Sequence, residues 1–205
     1  GGICASIEGV SALQMGEIEN CTFVGDSIYS NTQANGAGGI CGYAGGWSRI
    51  TDCTNRASIA GRTNTGGIIG YMGNTSPTLP YDNVINCENT GNIGVAAGGG
   101  SYIGGICGQY VSAGNINNCK NRGNIKVNAY GGGIVGRMTG KNSLTLATIT
   151  NCENFGDVSA ASNDSYSGGI VGLEYSYSTI KNTANCGNVT GKSRMGGIVG
   201  WSQSL

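Results

Sequence analysis

The sequence predicts an all-β protein wound as a parallel β-solenoid. Three observations carry that reading. A Gly-Gly-Ile-x-Gly block recurs seven times, beginning at Gly1, Gly38, Gly66, Gly104, Gly132, Gly168 and Gly196, with Ala5 ending the first copy. A second block, Ile-x-Asn-Cys-x-Asn-x-Gly-x-Ile, follows each of the first six. Between the blocks lie short runs of β-formers, and no i, i+3, i+4 apolar stripe marks a helix.

The repeat comes first, because a fixed period of this size signals a solenoid, a propeller or an array. The Gly-Gly pairs are spaced alternately by 28 and by 36–38 residues, giving six full repeats and the start of a seventh. A unit of 28 residues with about three strands cannot bury its own apolar face, whereas stacked units align like residues in columns. Strands of adjacent coils then lie ~4.8 Å apart. Right-handed winding follows from the crossover rule. Residues 1–205 read as a single solenoid domain, and a sequence that starts at Gly1 in mid-motif reads as an excerpt of a longer chain.

Within the first block, Ile3, Ile40, Ile68, Ile106, Ile134, Ile170 and Ile198 form one column. The next position holds Cys4, Cys41, Ile69, Cys107, Val135, Val171 and Val199, all apolar. Two successive buried positions do not suit a strand with one wet face. Either this strand is covered on both sides or it turns a corner. The Gly pair marks a place where a Cβ would strike the next coil, or where φ is positive.

The clearest second block runs from Ile116 to Ile125. Asp52 and Ala57 vary the copy at Ile50–Ile59, Thr183 replaces Cys in the sixth copy, and Phe23 replaces the second Asn in the first. The second Asn column, Asn55, Asn89, Asn121, Asn154 and Asn185, suits left-handed turns or a stacked amide ladder. Odd repeats carry two insertions each, rich in Ser, Asn, Gly and Thr. The first set includes Glu8–Gly16, Gly73–Asp82 and Thr139–Ala147, the second Tyr29–Ala37, Ala96–Tyr102 and Ala160–Ser167. These read as loops.

Of the nine cysteines, Cys21, Cys53, Cys87, Cys119 and Cys152 share one column and Cys4, Cys41 and Cys107 another. Replacement by Thr, Ile or Val marks a small buried hydrophobe, not a disulfide or zinc ligand. Cys186 lies off both columns and is the expected exposed thiol.

Composition narrows the function. Formal net charge is zero, with 11 basic and 11 acidic residues scattered singly, which speaks against nucleic acid as a partner. No apolar run is long enough to insert directly into a membrane. There is no His, so the commonest general base and zinc ligand are missing. Glu88 and Glu153 flank Lys120 in one column and read as a neutralising ladder. No catalytic residue, metal site or cofactor is expected. The residues expected to touch a ligand are aromatic: Tyr43, Tyr71 and Trp201 directly after the first block, and Tyr110 one position later.

Gly132-Gly133-Ile134-Val135-Gly136, with the block from Ile116 to Ile125, resembles the GLUG repeat of bacterial cell-surface proteins. Such repeats also occur in the non-catalytic part of immunoglobulin A-specific metallopeptidases. The peptidases' His-Glu-x-x-His motif is absent, so that activity is not implied. The resemblance implies a non-enzymatic repeat module of a secreted or surface-attached bacterial protein, an adhesin or a spacer, at the cell surface. Its expected partners are a surface protein or a glycan, from host or bacterium, together with other domains of the same chain. The alternative is a carbohydrate-active β-helix, lyase or glycosidase, with its site in the odd-repeat loops.

Overall fold

A computed structural model describes residues 1–31, 36–73, 82–111 and 113–203. Among these the protein is all-β, without a helix, and its strands stack as a parallel β-solenoid. Five sheets run along the stack, numbered here in the order the chain meets them. The fourth coil shows the path: Cys107–Val111 in sheet 1, Gly114–Asn117 in sheet 2, Lys120–Asn121 in sheet 3, Ile125–Val127 in sheet 4 and Tyr130–Gly132 in sheet 5. The chain then re-enters sheet 1 at Val135–Thr139. Strand Cys107–Val111 lies between Ile69–Gly73 and Val135–Thr139, parallel to both. Each coil thus has five short strands, not about three, because a corner residue interrupts each apolar run before it lengthens.

Two corners shape the cross-section. The first is the Asn before Cys. Asn20, Asp52, Asn86, Asn118, Asn151 and Asn182 all have φ between 51° and 55°, the left-handed region that Asn tolerates best among residues with a Cβ. The left-handed turn therefore belongs to the first Asn column and not to the second. The other corner is the Gly-Gly-Ile block. Between the first and second coils, sheet 5 ends at Gly38, Gly39 and Ile40 form a bend, and sheet 1 starts again at Cys41. The block turns a corner, so both Ile40 and Cys41 join one core cluster.

Close approach, not a positive φ, demands glycine there, since none of the paired glycines has left-handed φ. A Cβ on Gly105 would stand 2.1 Å from the Gly133 carbonyl oxygen and 2.3 Å from Cγ of Asn121. The same encounter recurs between Gly39 and Asn55, Gly67 and Asn89, and Gly133 and Asn154. The second Gly of each pair is the seat of the second Asn.

That contact divides the interior. The larger cluster holds the Ile column from Ile40 to Ile170, the column beside it, and Cys53, Cys87, Cys119 and Cys152. A smaller one, between sheets 4 and 5, holds Ile59, Ile93, Ile103, Ile125, Val127 and Val158. Each coil is pinched where Asn meets Gly, with an apolar lobe on either side. The Asn side chains fill the pinch as a continuous ladder. Nδ2 of Asn55, Asn89, Asn121 and Asn154 donates to Oδ1 of the Asn in the next coil at 2.7–2.8 Å. Each also donates to the carbonyl two residues on, at 2.7–2.9 Å. These four side chains are fully buried and still satisfied, which a buried amide requires. Phe23 takes the position in the first coil, where a Cβ on Gly2 would meet its ring, so the ladder starts at Asn55.

Candidate functional site

Sheet 1 places Tyr43, Tyr71, Gln109, Arg137, Leu173 and Trp201 in one column by register. Tyr43 and Tyr71 stack with ring centroids 5.6 Å apart and planes at 12°. Tyr110 does not belong with them. It pairs with Met72 and Met138 in the adjacent column, which faces the core, and its exposure is 0%. A shift of one residue along a strand exchanges the two faces, so Tyr110 is a packing residue and offers no surface to a ligand.

Sheet 5 supplies the rest of the surface. Tyr130 pairs with Tyr166 and Tyr166 with Arg194, while the pairing of Ile103 with Gly131 brings Tyr102 alongside Tyr130. Tyr102 and Tyr130 stack at 5.2 Å and 17°. Tyr130 and Tyr166 follow at 5.2 Å, and Tyr166 meets Trp201 edge-on at 4.7 Å. That last contact joins the two columns across the Gly-Gly-Ile corner. Guanidinium groups fill the gaps. Arg137 sits over Tyr102 and Tyr175 at 5.2 and 5.0 Å, and Arg194 over Tyr166 and Trp201 at 4.9 and 5.0 Å. Nη1 of Arg194 also donates to the Tyr166 hydroxyl oxygen at 2.7 Å.

The result is a strip of half-buried rings running parallel to the stack, with Arg137 half-buried and Arg194 exposed among them. Each ring pair contributes roughly 0.5–1.5 kcal/mol beyond its buried area, and each exposed cation–ring contact roughly 0.5–1 kcal/mol. The rings are therefore held in place before any ligand arrives. Burial, then the Tyr102 and Tyr166 phenols, pushes the Tyr130 hydroxyl above its usual range. Burial followed by Glu8 does the same for Tyr43. Both phenols stay protonated and remain donors at neutral pH. Tyr102 holds φ 56° without being Gly or Asn, a strained conformation that its place between Tyr130 and Arg137 accompanies.

Sequence reasoning picked Tyr43, Tyr71 and Trp201 but missed Arg137, Arg194 and the sheet 5 tyrosines as one group. A signal existed: Tyr102, Tyr130, Tyr166 and Arg194 each stand two residues before a Gly-Gly pair.

Acidic residues are arranged otherwise. Glu88, Lys120 and Glu153 lie in one register. Lys120 Nζ is 3.0 Å from Glu153, and Arg122 Nε is 2.6 Å from Glu88. The ladder is neutralised as expected, with Arg122 an additional partner. Among the described residues no group of three or more His, Cys, Asp or Glu side chains could hold a metal ion. All nine cysteines are free; Cys41, Cys53, Cys87, Cys107, Cys119 and Cys152 are buried, and Cys186 is exposed. Burial, with a contribution from Cys4, pushes the Cys41 thiol up to about 12. Burial also raises Cys107, and raises Cys119 together with its neighbours Cys152 and Cys87.

The odd-repeat insertions are shorter than the sequence suggested, because strands Cys4–Gly9, Ser27–Ser30 and Ser101–Gly104 extend into them. Two of the first set share one turn. Val10 N–H donates to the Gln14 carbonyl, and Lys141 N–H to that of Thr145. Leu13 and Leu144 occupy the matching position in these turns and are 97% and 87% exposed, so each tip presents an apolar side chain to solvent. The interior of the third such insertion, 74–81, lies outside the described residues, as do 32–35 of the second set.

Against known families, the GLUG motif matches residues 33–60, spanning the Gly38 block and the Asn-Cys block through Ile59. That match is consistent with a GLUG-repeat region. No curated protein matches the chain.

Proposed function

We propose that this GLUG-motif solenoid is a non-enzymatic adhesion module of a bacterial surface protein, and that it grips its partner with the ring-and-guanidinium strip. The observation that carries this reading is the strip itself. Tyr166 is packed between Tyr130 and Trp201, with Arg194 over Tyr166 and Trp201, yet all three rings keep part of their surface in solvent. Prefixed Tyr, Trp and Arg side chains lose little freedom on contact and are the types that dominate binding energy at interfaces. Rings of this kind stack on sugar faces, and the guanidinium groups add directed donors, so a surface glycan or glycosylated protein suits the strip. The Glu88–Lys120–Glu153 ladder with Arg122 supports binding over catalysis, because each carboxylate has its own cation.

The test is binding of the full chain to arrays of glycans and surface proteins, with Tyr130→Ala/Arg194→Ala as the strip variant. At least tenfold weaker binding by that variant is expected. Equal binding by the variant overturns the assignment to the strip, and absence of binding favours a spacer. Polysaccharide cleavage that disappears on mutating one loop carboxylate overturns the non-enzymatic reading.

A further inference from the structure

Sheet 4 carries a second surface that the strip does not use. Its strands share one inward column, from Ile59 through Ile93, Ile125 and Val158 to Val189, and two positions on Val127 is buried as well. Residues on either side of that inward position point outward, since side chains alternate along a strand. They form two parallel columns with a groove of about 830 Å³ between them, running from Ser27 and Tyr29 at one end to Asn188 and Thr190 at the other.

One wall is a chain of amides. Oδ1 of Asn92 accepts from the Asn124 backbone N–H at 2.9 Å, Oδ1 of Asn124 from that of Asp157 at 3.0 Å, and Oδ1 of Asp157 from that of Asn188 at 2.8 Å. Fixing each oxygen fixes the amide, and Nδ2 of Asn92 and Asn124 is left as the side chain's donor at the groove. The opposite wall runs Tyr29, Ala60, Gly94, Lys126, Ser159 and Thr190; it is low at Ala60 and Gly94, where a Cβ on Gly94 would meet nothing within 4 Å, and rises at Tyr29 and Lys126. Lys126 and Asp157 are the groove's charged residues, one of each sign.

We infer that this groove binds a linear neutral polysaccharide lying along the solenoid axis. The chemistry selects that occupant. With Lys126 against Asp157 the groove is neutral, which matches an uncharged chain and offers a polyanion no row of cations. Hydrogen-bonding groups recur once per coil, so a polymer of repeating hydroxyls meets the same donors at each step. An extended peptide would add to a sheet edge, but inner strands of sheet 4 such as Ile93–Val95 have neighbours on both sides. The gap at Ala60 and Gly94 gives a flat sugar ring room above the backbone.

Affinity electrophoresis of the full chain tests this, in gels containing galactomannan, xyloglucan, mixed-linkage β-glucan or dextran, with polygalacturonate and heparin as acidic probes. Retardation by at least one neutral polysaccharide is expected, weakened at least tenfold by Gly94→Leu, which projects into open space. Asn124→Asp keeps the oxygen that accepts from Asp157 and loses the donor, so it is expected to weaken retardation several-fold with an unchanged thermal midpoint. Tyr130→Ala, on the strip, is run alongside: retardation that this variant weakens while both groove variants keep it belongs to the strip and overturns the inference. Retardation by acidic polymers alone, by none of the probes, or undiminished in both groove variants overturns the inference.

Discussion

Asn121→Ala removes one rung from the middle of the buried amide ladder. Three hydrogen bonds go with it: the donation from Asn89, the donation to Asn154 and the donation to the Gly123 carbonyl, each 2.8 Å long. At about 1 kcal/mol net for each, with roughly 1–2 kcal/mol more for leaving Oδ1 of Asn154 buried without its donor, the loss comes to about 4–5 kcal/mol. For a chain of this length that lowers the thermal midpoint by about 10 °C or more. Urea unfolding followed by far-ultraviolet circular dichroism reads the free energy, and a thermal scan reads the midpoint. Asn121→Asp sharpens the experiment. A buried carboxylate cannot donate to Asn154, whereas a protonated carboxyl can. Its folded pKa is therefore raised, and its penalty grows as pH rises above the usual Asp value of about 4. An Asn121→Ala protein within 1 kcal/mol of wild type, or an Asn121→Asp protein indifferent to pH, refutes the argument that these amides hold the coils together.

Two glycines should respond in opposite ways. Gly105→Ala drives a Cβ into the Gly133 carbonyl and Asn121, so a loss of about 1–3 kcal/mol or more is expected, while Gly94→Ala meets open space and should be neutral or gain about 0.4–1 kcal/mol; urea midpoints decide. Thiol titration with a chromogenic disulfide should find Cys186 reacting first in the native protein and nine thiols in denaturant. Cys41 has its thiol raised from 9.0 to about 12 in the fold, so the fold favours the neutral form. Stability from that thiol is complete below pH 9 and is lost as pH rises from 9 toward 12, and an alkaline unfolding curve that is flat across that window contradicts it.

The columns were legible in the sequence because stacking gives every coil the same environment at the same place. Ile40 and Ile134 share a fate, and Cys53 and Cys152 do too, so recurrence alone revealed burial. Strands of two residues, such as Lys120–Asn121, leave no periodic trace, and the number of strands per coil was therefore hidden. Asn118 and Asn121 are the same residue type in one block. Only the backbone tells that the first turns a corner at φ 53° while the second fills the interior. Tyr110 was misplaced because an aromatic next to a surface column is a core residue one step along the strand. The strip needed the corner itself: Trp201 and Tyr166 lie 35 positions apart in the chain and touch only because Gly-Gly-Ile bends sheet 5 into sheet 1. The sheet 4 groove gave no sequence signal, since Ser, Asn and Gly there read as turn residues.

Because each rung of the interior repeats in every coil, the chain can change length without changing its joints. Excising the segment from Gly66 up to Gly132 would splice Thr65 onto a glycine equivalent to the one it lost, with the same Asn, Ile and Cys columns above and below. The product would be two coils shorter, about 10 Å, and would keep the long–short alternation. Unequal recombination between such interchangeable units gives a lineage a ruler it can lengthen or shorten in fixed increments. The length of the stack could then evolve by whole coil pairs, with no new core to invent at each step.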